Sequence, residues 1–340
     1  MICAGLTMPG MGSAAAALSF STATMAEKHA RVLVVQDPAA MQAFKPKPEV
    51  VETMVRRGLF GWTGKTNYSD AWSSLISMRD IVGIKVYCAQ GALGGTRPEV
   101  VAAVVKSLLA AGLPPEQIII WDKDRTDLSQ AGYMALGQRF GVRVKASQDT
   151  GYDDTTFYES SFLGRLVYGD HEFGRKGEGM GRKSFVSNLV TKEMTKIISV
   201  TPMSNHYRAG VTGNLYSLAQ GSVDNFLRFE HYPDRMVESL PEIIALPILG
   251  DRVVLNIVDG LICQYEGEQM GLLHYAFPLC ELRFSIDPVA LDVLSIKEIQ
   301  HQRHVAGHPE MPANLDLYKV ASWLEIGFYD SYQIRLESAP

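Results

Sequence analysis

The chain has 340 residues, of which 46% are hydrophobic and 20% are charged, and its formal net charge is −5 at pH 7. This composition is typical of a globular protein and excludes a disordered one. Because the net charge is negative, we expect no nucleic-acid partner.

The N-terminal segment differs from the rest of the chain because no charged side chain precedes Glu27. Small residues at Thr24 and Ala26 suit the two positions that a signal peptidase reads. We therefore predict that residues 1–26 are the remnant of an export signal and that the mature protein is periplasmic. The basic segment that usually opens such a signal is missing, so an apolar tail is the alternative. Pro9 interrupts the run, which argues against a permanent membrane span.

Residues 27–340 contain no internal repeat and no linker rich in Pro or Ser. They are predicted to form a single α/β domain that could divide into two lobes, and an oligomer is compatible with this organisation. The pattern of apolar residues predicts a strand over 31–36 and amphipathic helices over 48–59 and 69–77.

The clearest unit in the chain lies between residues 81 and 121. A strand over 81–87 leads into a Gly-rich loop over 88–95, and Thr96–Glu99 has the spacing of a capping box before a helix. A further strand follows over 117–121. Strand, helix and strand in this order require a parallel pair joined by a right-handed crossover. The predicted fold class is therefore α/β, with a mostly parallel sheet flanked by helices.

The second half of the chain is more irregular. The segment 147–183 is rich in Gly and loses all periodicity, so we predict a long loop or arm there, placed to act as a lid. Further elements are predicted as helices over 127–140, 236–246, 287–304 and 314–327, and as strands over 142–146, 197–200, 252–258 and within 272–286.

A dense group of polar residues follows the strand that ends near Val200. His206, Arg208, Asn214 and Asp224 all lie within the next 26 positions. In open α/β sheets, ligands bind beyond the carboxyl ends of the strands, so this region is the predicted site. His206 could transfer a proton, bind a metal or make a structural hydrogen bond.

Two Gly-rich turns each precede a predicted helix and could offer backbone N–H groups to an anion. The first contains Gly94 and Gly95 and the second ends at Gly213, although either could serve only as a tight turn. Neither matches a dinucleotide-binding or P-loop motif. Lys85 lies inside an apolar strand, where a lysine needs a partner.

We therefore predict one pocket for a small anionic molecule, formed by strand ends at Lys85, Asp122, His206 and Asp259. The catalytic residues would be His206, which transfers a proton, and Asp259, which orients His206 or a metal. The predicted ligand-binding residues are Lys85, Arg97, Gly94, Gly95, Arg208, Gly213, Asn214 and Asp224.

The four cysteines, Cys3, Cys88, Cys263 and Cys280, are isolated and lack the spacing of a cluster or zinc site. We therefore expect no iron–sulfur cluster, and we expect buried free thiols or at most one disulfide. The identity of any metal or other cofactor stays open.

Three segments resemble the family called domain of unknown function 362. They are IKVY with GTRPEVVAAVVKSLLAAG within 84–112, NHYRAGVTGNLYSLAQGSVDN at 205–225, and DRVVLNIVDGL with SIDPVALD within 251–292. The family pattern has lysines where this chain has Ser204 and Tyr216, and some members carry iron–sulfur clusters whose cysteines are absent here. The resemblance implies an α/β fold and the place of the site but no settled activity.

Two functions fit these observations. The first is an exported enzyme that acts on a small anionic molecule, and the density of His, Asp, Asn and Arg favours it. The second is a non-catalytic periplasmic protein that binds a ligand or assists assembly, and the departures from the family lysines favour it.

Overall fold

A computed structural model describes residues 29–175, 179–230, 232–267, 270–311 and 315–339. The predicted export segment and the predicted helix cap Asn314 lie outside these residues.

Most of the strands belong to one large sheet. The strands are β1 (Ala30–Gln36), β2 (Met41–Gln42), β3 (Lys45–Pro46), β4 (Val82–Lys85), β5 (Ile118–Asp122), β6 (Arg143–Ala146), β7 (Tyr152–Arg165), β8 (Met180–Ser187), β9 (Lys196–His206), β10 (Gly210–Val211), β11 (Val253–Gln264), β12 (Ala276–Phe277), β13 (Glu281–Ser285) and β14 (Ile334–Ser338).

The large sheet has ten strands among the described residues, in the order β14-β1-β13-β11-β9-β4-β5-β6, with β10 paired to β9 and β12 to β11. The run from β11 to β6 is parallel throughout. β13 is antiparallel to both of its neighbours. Strands β4, β5 and β9 are almost entirely buried, as expected for parallel strands covered on both faces. The prediction of a mostly parallel sheet flanked by helices is confirmed.

Helices lie on both faces of the sheet, and none among the described residues is long and apolar enough to cross a membrane. The helices are α1 (Pro48–Thr63), α2 (Tyr68–Ser73), α3 (Gly91–Gly94), α4 (Pro98–Ala110), α5 (Arg125–Gln130), α6 (Tyr133–Phe140), α7 (Ser147–Thr150), α8 (Asn214–Ser222), α9 (Leu227–Glu230), α10 (Pro233–Ile244), α11 (Pro247–Gly250), α12 (Pro288–Val305) and α13 (Asp316–Trp323).

The two faces of the sheet carry two separate apolar cores. On the first face, side chains of α1, α2, α4 and α6 pack against even-numbered residues of β4 and β5 such as Ile84 and Ile120. On the second face, α8, α10, α12 and α13 pack against odd-numbered residues such as Ile119 and Trp121. The alternation of side chains along each strand thus assigns every strand residue to one layer.

The segment predicted as a loop or arm contains paired structure. After α7, β7 and β8 form an antiparallel hairpin, and Tyr158 and Phe185 of the hairpin are buried. The pairing shifts register between Tyr152 and Phe157 and again between Glu159 and Gly164. These irregularities interrupt the alternation that normally identifies a strand in a sequence.

Three local predictions need correction. Thr96 does not cap α4, because its hydroxyl instead donates to Val200 O at 2.8 Å and accepts from Tyr87 N. The helix predicted over 127–140 is interrupted by Gly132, whose left-handed backbone separates α5 from α6. The strand predicted to end at Val258 continues through Asp259 as β11, with a register shift against β9.

Candidate functional site

Lys85 is fully buried on the second face of the sheet and is held by three acceptors. Its Nζ lies 2.8 Å from Asp122 Oδ1, 2.6 Å from Val86 O and 3.0 Å from Ser217 Oγ. Asp122 in turn accepts from the backbone N–H groups of Cys88 and Lys123. The structure thus supplies the partner that a lysine in an apolar strand requires. Lys85 and Asp122 lie together as predicted, but they form a buried ion pair with each other.

Arg97 and Asp259 form a second buried pair. Asp259 Oδ2 accepts from the Arg97 backbone N–H at 2.9 Å and lies 3.2 Å from Arg97 Nη1, and Asp259 Oδ1 accepts from Leu261 N. Arg97 precedes α4 on the first face of the sheet, so this pair lies on the opposite face from Lys85. His206 is not a partner of Asp259, so the predicted orienting contact is not formed.

The amino end of α8 is filled by another carboxylate of the chain. Asp292 Oδ1 accepts from the Asn214 backbone N–H at 2.7 Å, and Oδ2 accepts from Leu215 N at 2.9 Å. A side chain at Gly213 would collide with the Asp292 carboxylate, which explains the glycine at this position. Burial raises the pKa of Asp292 to about 7. Asn214 and Leu215 therefore bind an internal carboxylate, and Gly213 leaves the space for it.

His206 ends β9 and is buried against Tyr216, with 4.2 Å between the ring centroids. Its Nδ1 accepts the backbone N–H of Ala209 at 3.1 Å and of Arg208 at 3.3 Å. Burial lowers the pKa of His206 to about 4, and the nearby Arg208 adds to the effect. The ring is thus neutral at pH 7, with its proton on Nε2. This arrangement fits a structural hydrogen bond better than proton abstraction.

Asp224 fixes the hairpin to the end of α8. Its two carboxylate oxygens accept from the backbone N–H groups of His171 and Phe185. Burial raises the pKa of Asp224 to about 7, although these two hydrogen bonds act in the opposite direction. Asp224 therefore connects the β7–β8 hairpin to the main domain.

The glycines of the first loop serve close packing. A side chain at Gly95 would lie 2.7 Å from the carbonyl oxygens of Tyr87 and Gly91, and one at Gly94 would lie 2.8 Å from Gly271 Cα. These close contacts agree with the alternative in which the glycines serve only a tight turn between β4 and α4.

A cavity of about 230 Å³ lies beyond the carboxyl ends of β4, β5 and β6. Residues that come shortly after each strand line it. They are Tyr87 and Ala89 after β4, Lys123 after β5 and Gln148 after β6. The chain order reverses at β4, because β5 and β6 lie on one side of it and β9 on the other. Ligands of open α/β sheets bind at such a switch point. The remaining lining residues come from α8, α9 and the hairpin and are Val167, Asp170, Tyr216, Gln220, Asn225, Phe226, Leu227 and Glu230.

Lys123 is the cationic side chain among the residues that line this cavity. Its Nζ donates to Val223 O at 2.9 Å, which leaves two further N–H groups on the ammonium. Burial lowers the pKa of Lys123, while Asp170, Asp224 and Glu230 act in the opposite direction. The cavity therefore contains one ammonium group, that of Lys123, among hydrogen-bond acceptors such as Asp170 and Glu230.

Gln220 Oε1 is buried beside the cavity and has no hydrogen-bond donor among the described residues. Buried polar atoms are almost always paired, so this oxygen points to a donor supplied from the cavity. Asn225 Oδ1 also has no donor among the described residues, but it lies beside Gly164 of the hairpin. Glu230 also lines the cavity and accepts from the Tyr216 hydroxyl at 2.6 Å. His206 packs against the Tyr216 ring but is not among the residues that line the cavity.

No group of three or more His, Cys, Asp or Glu side chains within the described ranges could hold a metal ion. Cys88, Cys263 and Cys280 are buried free thiols, and burial raises the pKa of each of them.

The comparison with family models gives one match, to Domain of unknown function (DUF362), over residues 82–297. The chain belongs to the DUF362 family. The DUF362 match begins at the first residue of β4 and ends within α12, so it includes every residue that lines the cavity.

Among solved structures, a crystal structure of a protein from Thermotoga maritima matches with 11% identity and a TM-score of 0.40. The match covers 79% of this chain and 61% of the other, so this chain spans less than two thirds of that protein. No curated protein matches this DUF362 chain.

Sequence analysis missed the residues that line the cavity, above all Lys123. The sequence could have indicated Lys123, because it directly follows the strand QIIIWD, whose last residue Asp122 was placed in the predicted pocket. Asp170 and Gln148 could not be placed beside it without knowing how the hairpin folds back.

Proposed function

We propose that this chain binds a small molecule that carries one anionic group together with hydrogen-bond donors. The observation that carries the proposal is the buried acceptor Gln220 Oε1 in a cavity that also contains the Lys123 ammonium. Lys123 would bind the anionic group, and Gln220 Oε1 would accept a hydrogen bond from a donor of the ligand. An amino-acid-like zwitterion combines these features.

Binding without turnover is the function that the geometry favours. Lys85 and Asp259, two of the groups predicted to act on a ligand, are saturated by internal partners. His206 uses Nδ1 as an acceptor, so its second nitrogen carries the proton and has no lone pair to act as a base.

The test begins with native mass spectrometry of freshly purified protein, which detects a co-purified molecule. Calorimetry then compares β-alanine with propionate and propylamine, which carry only the acid or only the amine. We expect β-alanine to bind most tightly, and Lys123→Met to weaken it at least about tenfold because a charge-assisted hydrogen bond is lost.

Matched variants locate the site. Lys145→Met removes a lysine that pairs with Glu193 outside the cavity, so it should leave binding unchanged. Ala89→Trp places a large side chain at an exposed position of the cavity wall and should block binding. Equal affinities for the three compounds, or unchanged binding in folded Lys123→Met and Ala89→Trp proteins, would contradict the proposal.

We also propose that the protein is exported to the periplasm. The uncharged segment 1–26 and the small residues that precede Glu27 support this. Cell fractionation and N-terminal sequencing of the native protein test it. A cytoplasmic protein with residues 5–20 intact would contradict export.

A further inference from the structure

A second cavity, of about 250 Å³, lies at the opposite end of the parallel strands, where β11 begins at Val253. Its walls combine polar groups with apolar side chains, which include Leu215 and Leu218 of α8 and Ile244 of α10. The volume is close to the lower end of small-molecule sites, roughly 300 Å³. A ligand that fits must therefore be small and carry both polar groups and an apolar segment.

Asn256 lines this cavity and is completely buried in the middle of β11. Its Nδ2 donates to Ile286 O at 3.2 Å, which fixes the orientation of the amide. Asn256 Oδ1 has no hydrogen-bond donor in the part of the chain that the structure describes. Because a buried acceptor is normally paired, a ligand that fits this cavity should bring an N–H or O–H group to Asn256.

The charged side chains that line the cavity are both acidic. Asp251 and Glu325 are exposed, and the described residues that line the cavity include no Lys, Arg or His. A ligand cation between these carboxylates would gain electrostatic attraction, whereas an anion would be repelled.

Glu325 occupies a backbone position that usually belongs to glycine. It lies two residues after the end of α13 with φ 59°, and the N–H groups of Glu325 and Ile326 donate to Ser322 O and Ala321 O. Glycine is the favoured residue in this left-handed position because other side chains are strained there. The structure thus holds a carboxylate at the cavity despite the strain.

We propose that this cavity binds a short-chain amino alcohol. The ammonium lies at Asp251 and Glu325, the alkyl chain lies along Leu215 and Leu218, and the hydroxyl donates to Asn256 Oδ1. A neutral hydroxyl suits the buried end better than a second ammonium, because an unpaired charge is costly to bury. This site is separate from the cavity at Lys123 and does not depend on the function proposed there.

Calorimetry at pH 7 tests the site with 4-amino-1-butanol as the probe. Butylamine lacks the hydroxyl, 1-butanol lacks the ammonium, and 4-hydroxybutyrate replaces the cation by an anion. We expect the amino alcohol to bind most tightly and 4-hydroxybutyrate to bind least. One hydrogen bond to Asn256 should make the amino alcohol several-fold tighter than butylamine.

Variants assign each contact. Asn256→Leu should abolish the difference between 4-amino-1-butanol and butylamine, and Glu325→Gln should weaken both amines. Asn188→Leu is the matched control, because Asn188 also has an unpartnered Oδ1 and an Nδ2 bonded to a backbone oxygen, away from this cavity. Lys123→Met should leave binding of this probe unchanged, which separates this site from the first.

Ala245→Phe keeps the test decisive if Asn256→Leu fails to fold. Ala245 is exposed and lines the cavity, so the larger side chain should block it without disturbing the core. Lack of binding of 4-amino-1-butanol, binding equal to that of 4-hydroxybutyrate, or unchanged affinity in folded Ala245→Phe protein would each overturn the proposal.

Discussion

Asp259 Oδ2 accepts the backbone N–H of Arg97 at 2.9 Å, so a carboxylate of the chain itself lies at the amino end of α4. Asp292 does the same at Asn214 and α8. Helix amino ends attract anions, which is why the sequence pointed to a ligand at both turns. In the structure the anion is internal at each, and the open cavity lies instead at Lys123.

Removal of one partner of the Arg97–Asp259 pair should be strongly destabilising. Asp259→Leu leaves a buried guanidinium without its counter-charge, and such changes lower the free energy of unfolding by about 3–5 kcal/mol. The double variant Arg97→Met with Asp259→Leu should recover a large part of this loss. Urea denaturation of the singles and the double provides the cycle. If the losses of the single variants simply add, the two residues are not coupled.

Lys85 and Gly221 should show steric coupling. A side chain at Gly221 would lie 2.1 Å from Lys85 Cε, and Lys85 is pinned by three hydrogen bonds. Gly221→Ala should therefore lower stability by about 1–3 kcal/mol through overpacking, despite the better helix propensity of alanine. In a Lys85→Val background the same change should be neutral or stabilising. A similar loss in both backgrounds, measured by urea denaturation, would show that Lys85 is not the obstacle.

The elements that the sequence predicted well are those specified by local pattern. The β4–α4–β5 unit and the cap Asp287 of α12, which accepts from Ala290 N at 2.8 Å, depend on residues close together in the chain. Thr96 was assigned to the wrong role because its partner Val200 is 104 positions away. Tertiary hydrogen bonds of this kind have no local signal.

The site was predicted less well for the same reason. The sequence predicted a site at the carboxyl ends of the strands, because a βαβ unit fixes their direction, and the candidate cavity at Lys123 lies at that end. The prediction placed Lys85, Asp259 and His206 in one pocket. It did not take into account that side chains alternate along a strand, which places Lys85 and the Arg97–Asp259 pair on opposite faces of the sheet. Side-chain direction beyond a bulged strand such as β11 could not be read from the sequence.

His206 should make the protein less stable as the pH falls. Its pKa is about 4 in the folded protein, against about 6.5 when unfolded, so the unfolded chain binds the extra proton first. The stability that the neutral ring contributes is present above pH 6.5 and is lost progressively towards pH 4, by up to about 3 kcal/mol. His206→Asn retains an acceptor for Ala209 N but does not titrate. The difference in unfolding free energy between parent and variant should therefore change across this window, and a constant difference would contradict the assignment.

Arg228 should control the attachment of the β7–β8 hairpin. Its guanidinium donates to the carbonyl oxygens of Tyr158, Phe162 and Arg182, all within the hairpin. A lysine cannot reproduce the planar fork, so Arg228→Lys should leave buried carbonyls without donors and lower stability by at least about 2 kcal/mol.

The effect of Arg228→Lys should be concentrated in the hairpin, because most of the hydrogen bonds of Arg228 go there. Hydrogen exchange should accelerate in β7 and β8 and change little in β4 and β9, which are held by parallel neighbours on both sides. Arg235→Lys is the matched control, since Arg235 is more exposed and reaches a single hairpin carbonyl, that of Leu163. Asp170, in the connection between the two hairpin strands, lines the cavity at Lys123, so loosening the hairpin should also weaken binding there. Equal exchange in the hairpin of parent and Arg228→Lys proteins would show that packing of Tyr158 and Phe185 alone holds it in place.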